Sequence, residues 1–206
     1  MNLSLVNNYF QPHRVLDIGA NVGQFRTNAQ QYWPQSYIFS IEASEACEEH
    51  LQKLTDDYLI CLLAKDDSRY EYFSRKNDPT CTGNSIYKEL TEFYSDDQIE
   101  IIKKDGIMLD DLFTSESIFD LIKIDTQGSE LDVVEGGKKI CSRAKGLLLE
   151  VSFNEYNEKA PLYEEVLNYM EGFNFTPTIV LDIQKNHGAH QQDILFLNNE
   201  YNKLDQ

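Results

Sequence analysis

The 206-residue chain has no cysteine pair at metal or redox spacing, no apolar run of membrane-spanning length and no dense basic patch. Each lack removes a class of function. Cys47, Cys61, Cys81 and Cys141 are scattered singly. Without a C-x-x-C unit they indicate neither a zinc site nor a dithiol redox centre, and they read as free thiols of a reducing compartment. No apolar stretch approaches the ~20 residues that cross a bilayer, and residues 1–8 lack the basic-then-apolar pattern of a secretory leader. The expectation is a cytoplasmic protein without membrane insertion. Lys and Arg number 18 against 35 Asp and Glu, a formal net charge of −17. Nucleic acid and anionic lipid both require clustered cations, so neither is an expected partner. The adjacent basic pairs, Arg75-Lys76, Lys103-Lys104 and Lys138-Lys139, read as solvated surface. Low-complexity segments, internal repeats and linker-like stretches are also missing, so residues 1–206 read as a single domain.

What is present is one organising stretch, Val15-Leu16-Asp17-Ile18-Gly19-Ala20-Asn21-Val22-Gly23-Gln24-Phe25. It reads as a strand, a turn and the start of a helix. The D-x-G-x-N-x-G spacing offers backbone N–H groups and one carboxylate to a nucleotide-like ligand. Gly19 tolerates the unusual dihedrals such a turn needs. Asn21 is of a type that visits those dihedrals or caps helices. Gly23 permits close approach of helix to strand or of ligand to backbone.

Around this stretch the chain alternates. Strands are expected at Arg14–Gly19, Tyr37–Ala43 and Leu59–Ala64, with a helix over Asn21–Tyr32 and a second one capped by Ser44 and lined by Cys47, Leu51 and Leu54. This is the pattern of a parallel sheet with crossover helices. Residues 66–104 break it: Ser68–Ser74 and Gln98–Lys103 are strand-like, and the span reads as an antiparallel excursion plus a polar loop. A short helix is expected at Asp110–Phe113. The parallel pattern resumes with Phe119–Ile124, a helix through Val134, Gly146–Val151, a helix with Pro161 at its first position, and closing strands Thr178–Ile183 and Asp193–Leu197. Glu42 ends the second strand, where a carboxylate accepts hydrogen bonds from both hydroxyls of a ribose.

The Asp17–Gly23 turn, Glu42, the run Ile122-Lys123-Ile124-Asp125-Thr126-Gln127-Gly128-Ser129-Glu130, and Leu149-Glu150-Val151-Ser152 together resemble FkbM-family methyltransferases. These are class I enzymes that use S-adenosylmethionine (SAM), many of them O-methyltransferases of sugars, glycans or natural products. The similarity covers about residues 14–197. It implies an α/β, Rossmann-like fold: a seven-stranded, mostly parallel sheet of order 3-2-1-4-5-7-6, strand 7 antiparallel, with helices on both faces. It implies SAM as cofactor, with Asp17, Gly19, Asn21 and Gly23 around its methionine part and Glu42 on its ribose. Ala64 and Lys65 would lie beside its adenine, and Asp125 at the junction of cofactor and substrate. Many relatives carry a longer N-terminal region. Where that region forms a lid in them, closure in this chain falls to residues 75–96, to a partner subunit, which leaves a homo-oligomer open, or to nothing.

Methyl transfer from a sulfonium needs alignment, water exclusion and, for a hydroxyl acceptor, a base. Candidates belong at the carboxyl ends of the strands. Asp125 ends the fourth and reads as base, cofactor ligand or metal ligand, against the plainer role of bonding its own turn. Glu150 ends the fifth, and the two carboxylates together suit a divalent metal or a shared proton; no metal site is assigned. Glu130, in the first turn of a helix, is favoured there by the helix dipole alone. His187 and His190 read more simply as a solvated loop. Tyr87, Phe93 and Tyr94 line either an acceptor pocket or the packing face of their own helix. The expected acceptor is a hydroxyl on a small molecule or glycan. A non-catalytic SAM-binding or interaction module keeps the same motifs. A nicotinamide-dependent oxidoreductase is disfavoured, because the G-x-G-x-x-G fingerprint is absent.

Overall fold

The computed structural model describes residues 1–114, 116–185 and 190–201. Its centre is β1 (Arg14–Ile18), whose apolar run is buried after Arg14 because parallel neighbours flank it on both sides. These are β2 (Tyr37–Glu42) and β7 (Leu121–Ile124). With β3 (Tyr58–Ile60), β8 (Gly146–Ser152), β9 (Phe175–Gln184) and β10 (Gln191–Asn198) they form a seven-stranded sheet of order β3-β2-β1-β7-β8-β10-β9. In order of appearance along the main sheet this is 3-2-1-4-5-7-6, with β10 antiparallel to β8 and β9. The order is the one the resemblance implies. Pro177 lies within β9, which is tolerated because β9 is an edge strand.

The third expected strand is divided. After β3, the Cys61 N–H still donates to Glu42 O at 2.8 Å, but the Ala64 N–H donates to Ile107 O at 3.0 Å. Leu62–Leu63 is thus β4 of a second sheet, ordered β4-β6-β5, with β5 at Arg69–Arg75 and β6 at Ile99–Ile107. The β5–β6 pair is the antiparallel excursion. Along β6 alternate residues face opposite ways. Lys103 is half-exposed and pairs with Glu71, whereas Lys104 is buried, 2.5 Å from Glu45 and over the Tyr72 ring. Lys103-Lys104 is therefore not a solvated pair.

The sheet carries apolar side chains on both faces. Val15, Leu121, Leu148 and Leu195 pack on α1 (Gln24–Tyr32) and on a 3-10 turn at Leu3–Asn8, through Phe25, Ala29, Leu3 and Val6. Leu16, Ile122, Leu147 and Leu149 face Val133 and Val134 of α4 (Glu130–Gly136), Ile140 of α5 (Lys138–Cys141) and Met170 of α6 (Tyr163–Gly172). Short α3 (Leu109–Leu112) packs beside α5, and α2 (Glu48–Leu54) beside β3.

Three local expectations are corrected. Helix α1 starts at Gln24, because Asn21 and Gly23 hold positive φ values of 49° and 88° and prolong the turn. Ser44 does not cap by side chain; its hydroxyl donates to Pro79 O at 2.9 Å, a 3-10 turn intervenes at Glu45–Cys47, and Leu54 is 48% exposed. Pro161 precedes α6 by two residues, where Glu165 accepts the Leu162 N–H at 3.0 Å. All four cysteines are free. No helix of the described residues is long and apolar enough to cross a membrane.

Two glycines separate close packing from local propensity. A Cβ on Gly136 would lie 2.1 Å from the Ala64 carbonyl oxygen, whereas one on Gly172 would meet nothing within 4 Å. Thermal or denaturant unfolding should show Gly136→Ala destabilised by about 1–3 kcal/mol from overpacking. Gly172→Ala should be neutral or up to about 1 kcal/mol more stable. Equal effects would mean that α4 is not held against Ala64.

Candidate cofactor and acceptor site

The first turn is built from backbone that only certain residues adopt. Gly19, Asn21 and Gly23 all have positive φ. The Gly19 and Ala20 N–H groups donate to Ile41 O at 2.9 and 3.0 Å, which ties the turn to β2. A Cβ on Gly19 would lie 1.8 Å from the Asp125 carbonyl oxygen, and one on Gly23 would lie 2.4 Å from a Leu54 methyl. Both glycines therefore serve close approach within the protein. Glu42, 7% exposed, accepts the Asn21 N–H at 2.7 Å and the Ser44 N–H at 2.8 Å. Burial raises its carboxyl above the ordinary value, against the pull of those N–H groups.

Beneath the turn, Asp17 of β1 stands in register with Lys123 of β7, both on the α1 face of the sheet. The Lys123 ammonium lies 3.3 Å from Asp17 Oδ1, 3.5 Å from Asp125 Oδ2 and 2.9 Å from the Gly19 carbonyl oxygen. Burial works against this charge, but Asp125 and Asp17 outweigh it and hold Lys123 protonated above its usual range. Neither Asp17 oxygen accepts a hydrogen bond among the described residues; the ammonium is its counter-charge.

The segment after β7 is a compact turn, with Gln127 and Gly128 at φ 55° and 103°. Buried Glu130 secures it, accepting the N–H of Thr126 at 2.8 Å and of Gly128 at 3.1 Å. Burial pushes its carboxyl up to about 7. The Gln127 amide nitrogen donates to Asp125 Oδ1 at 2.9 Å and to Glu150 Oε2 at 2.6 Å, so the two carboxylates share one amide. Burial, with Asp125, Glu130 and Asp193 nearby, pushes the Glu150 carboxyl well up. Asp193, opposite Glu150 in the β8–β10 register, is raised to about 7 by burial and by Asp125. Among the described residues no three His, Cys, Asp or Glu side chains converge in a metal-binding arrangement.

Residues 76–96 run over these strand ends as a strap. Asn21 Nδ2 donates to Thr80 O at 2.8 Å, Ser85 Oγ to Thr126 O at 2.8 Å, and the Leu90 N–H to Tyr156 O at 2.8 Å. Under the strap lies a cavity of about 420 Å³ lined by Gly19, Ala20, Asn21, Glu42, Leu62, Leu63, Ile86, Lys123, Asp125 and Asp193. A second cavity of about 300 Å³ is lined by Arg75, Glu89, Phe93, Tyr94, Glu150, Tyr156 and Gln191. The two share Cys81, Thr82, Asp125, Gln127 and Gln184.

Of the sequence-chosen residues, Gly19, Asn21, Glu42 and Asp125 line the larger cavity and Glu150 the smaller. Asp17 and Gly23 stand behind the first turn. Ala64 and Lys65 are not brought to either cavity: the Ala64 carbonyl packs against Gly136, and Lys65 lies 3.7 Å from Asp132. Leu62 and Leu63 line the wall instead, because the chain turns into the second sheet there. Phe93 and Tyr94 line the smaller cavity from a 3-10 turn, while the Tyr87 hydroxyl donates to Asp132 at 2.8 Å. His190 stacks on Phe153, with ring centroids 4.7 Å apart; His187 lies outside the described residues. Sequence reasoning missed Lys123, Asp193, Gln184 and Gln191, and quoted Gln127 without a role. The available signal was polarity out of place, a lysine in the otherwise apolar run Leu121–Ile124 and an aspartate opening a buried strand.

Glu130 gives a pH test. Its carboxyl is raised in the fold relative to the unfolded chain, so its stabilising share is complete below about pH 4.5 and is lost as pH rises through about 7. Glu130→Gln keeps an acceptor oxygen and removes the titration. Denaturant unfolding between pH 4.5 and 8 should show the variant gaining on the wild type as pH rises, by up to about 3 kcal/mol. A constant difference would mean that Glu130 does not titrate in that window.

A model of the methyltransferase FkbM domain matches residues 17–177. No curated protein matches. Among solved structures, a methyltransferase FkbM from Methylobacillus flagellatus KT superposes with TM-score 0.60 at 15% identity, over 90% of this chain and 44% of that one. This chain thus spans less than half the length of that relative. The magnesium protoporphyrin IX methyltransferase of Synechocystis PCC 6803, solved with bound SAM, gives 0.53 at 11% identity, over 95% of this chain and 74% of that one. The N-terminal domain of EvdMO1, solved in the presence of SAH and D-fucose, gives 0.53 at 9% identity, over 95% and 80%. With the family model matching most of its length and the class I sheet order in place, the chain belongs to the FkbM methyltransferase family.

Proposed function

We propose that this chain is an SAM-dependent O-methyltransferase whose acceptor is a hydroxyl on a sugar, a glycan or a small natural product. The observation that carries the reading is the meeting of two cavities at Asp125 and Gln127. One has the glycine turn and Glu42 expected for a nucleoside ligand; the other is open to a second molecule. The solved structures with SAM, or with SAH and D-fucose, support the same pairing by analogy of fold.

The residues fit the cofactor. Gly19, Ala20 and Asn21 form the wall suited to its amino-acid part, Glu42 is a carboxylate at ribose position, and Leu62, Leu63 and Ile86 make an apolar slot for a base. Asp17 and Gly23 act from behind by fixing the turn. SAM supplies, when bound, an activated methyl group on a sulfonium. The chain supplies alignment, a dry site under the strap and a place for the hydroxyl proton. Asp125 is the base in this reading, since it borders both cavities; the Lys123 ammonium 3.5 Å from its Oδ2 holds it in place. Glu150 is the second carboxylate of the acceptor side, joined to Asp125 through Gln127.

Calorimetry with SAM, S-adenosylhomocysteine and NAD tests the cofactor half. The first two should bind and NAD should not; preference for NAD would sink the proposal. Glu42→Ala should weaken SAM binding by about tenfold or more through loss of charge-assisted hydrogen bonds, and unchanged affinity would remove Glu42 from the site. With a hydroxylated acceptor in hand, Asp125→Asn should lower kcat by about 10²-fold or more while SAM still binds. Unaltered turnover would make Asp125 structural.

A further inference from the structure

Glu150 is solvated in an unusual way. Its carboxylate is 5% exposed and takes part in no salt bridge among the described residues. Instead three primary amides converge on it. Gln127 Nε2 lies 2.6 Å and Gln191 Nε2 2.9 Å from Oε2, and Gln184 Nε2 lies 3.3 Å from Oε1. These glutamines come from three separate places, the turn after β7, the end of β9 and the start of β10. Gln191 is 4% exposed and its amide also donates to Ser152 Oγ at 3.3 Å.

An ionised carboxylate only accepts hydrogen bonds, so each amide must turn its NH2 toward it. Reversing Gln127 would set its carbonyl oxygen against the oxygens of both Asp125 and Glu150. A proton on Glu150 would let at most one of the three amides turn. The carbonyl oxygens therefore point away from Glu150 and accept no hydrogen bond among the described residues. All three side chains line the smaller cavity, whose walls also include Phe93 and Tyr156.

We infer that Glu150 is a positioning residue: it turns Gln127, Gln184 and Gln191 so that three carbonyl oxygens read hydrogen-bond donors on the methyl acceptor. The constellation takes hydroxyls or a protonated amine. It turns away a carboxylate or phosphate at that end, because such a group would bring only acceptors against carbonyl oxygens and two carboxylates. The inference rests on the proposed methyltransferase function for the identity of the ligand, but the amide arrangement stands without it.

The first arm of the test needs no cofactor. Side-chain NH2 resonances of the three glutamines, assigned by single Gln→Met variants in 15N-labelled chain, should exchange slowly with water. All three should shift and lose protection in the near-isosteric Glu150→Gln variant. Fast exchange in the wild type, or an unchanged pattern in the variant, overturns the inference. The second arm uses the S-adenosylhomocysteine-loaded chain with methyl glucopyranoside, its 2-amino-2-deoxy analogue and its uronate. The neutral or amino sugar should bind, with Kd about tenfold weaker in Glu150→Gln, the worth of one charge-assisted hydrogen bond. With turnover, that variant should raise the acceptor KM and leave kcat nearly unchanged, a split that general loss of structure would not give. Uronate binding best, or none of the three binding, overturns the donor-reading role. Failure to bind S-adenosylhomocysteine at all would instead count against the methyltransferase reading, with the amide pattern still decided by the first arm.

Discussion

The buried ammonium of Lys123 is the interaction on which the rest of the site depends. Register places it beside Asp17, and its length brings it to Asp125 and to the carbonyl oxygen of Gly19. It thereby joins the middle two strands to the turn that follows one and the carboxylate that follows the other. Transfer of such charges out of water is costly, and their mutual attraction offsets the cost only with close geometry and several partners. Lys123 has two carboxylates and two backbone carbonyls, of Ile18 and Gly19, within 3.5 Å. Removing it would take away the nearest counter-charge of Asp17 and leave only the more distant Arg26. The glycine turn and Asp125 are thus one electrostatic unit, which holds the turn and the carboxylate at a fixed separation.

The strap over residues 76–96 is fastened to that unit at both ends. On one side it meets Asn21 and Ser44, beside the glycine turn and the larger cavity; on the other it meets Thr126 and Tyr156, toward the smaller cavity. Its fastenings are single hydrogen bonds and two short antiparallel bridges, Phe73 with Ser85 and Glu89 with Asn157, rather than a continuous ladder. Segments of that kind open locally at lower free energy than the strands beneath them. The strap therefore both encloses the two cavities and is the element above them that is easiest to displace. Arg75, with its guanidinium 5.5 Å from the Phe93 ring, stands at the rim of the smaller cavity.

The architecture was legible in the sequence because buried parallel strands are apolar on both faces and stand out against polar loops. That logic found β1, β2, β7 and β8, and the glycine spacing found the first turn. It could not divide Leu59–Ala64, since all six residues are apolar and a run of that kind reads the same in one sheet or two. The decisive hydrogen bond, from Ala64 to Ile107, spans residues far apart in the chain. The adenine-side assignment to Ala64 and Lys65 came from the family resemblance, applied to the end of that undivided strand. The glutamine cluster was illegible for a related reason. Gln127, Gln184 and Gln191 are unremarkable singly, and only sheet closure through β10 sets them around Glu150.

The charge distribution of the larger cavity bears on what it holds. Glu42, Asp125, Asp182 and Asp193 line it, and Lys123 is the sole Lys or Arg among its lining residues, already committed to Asp17 and Asp125. A cavity with that balance, in a chain of net charge −17, favours a ligand with a cationic centre and disfavours a pyrophosphate. A dinucleotide would need the N–H-rich approach that its fingerprint provides, and here the Gly19 and Ala20 N–H groups are turned to Ile41 O and the Asn21 N–H to Glu42. In the proposed function the sulfonium of S-adenosylmethionine would meet the opposite condition: its positive charge would suit those carboxylates, and methyl loss would weaken the attraction. The absence of a phosphate-binding fingerprint and the excess of carboxylates then point the same way, to a cationic ligand rather than a pyrophosphate.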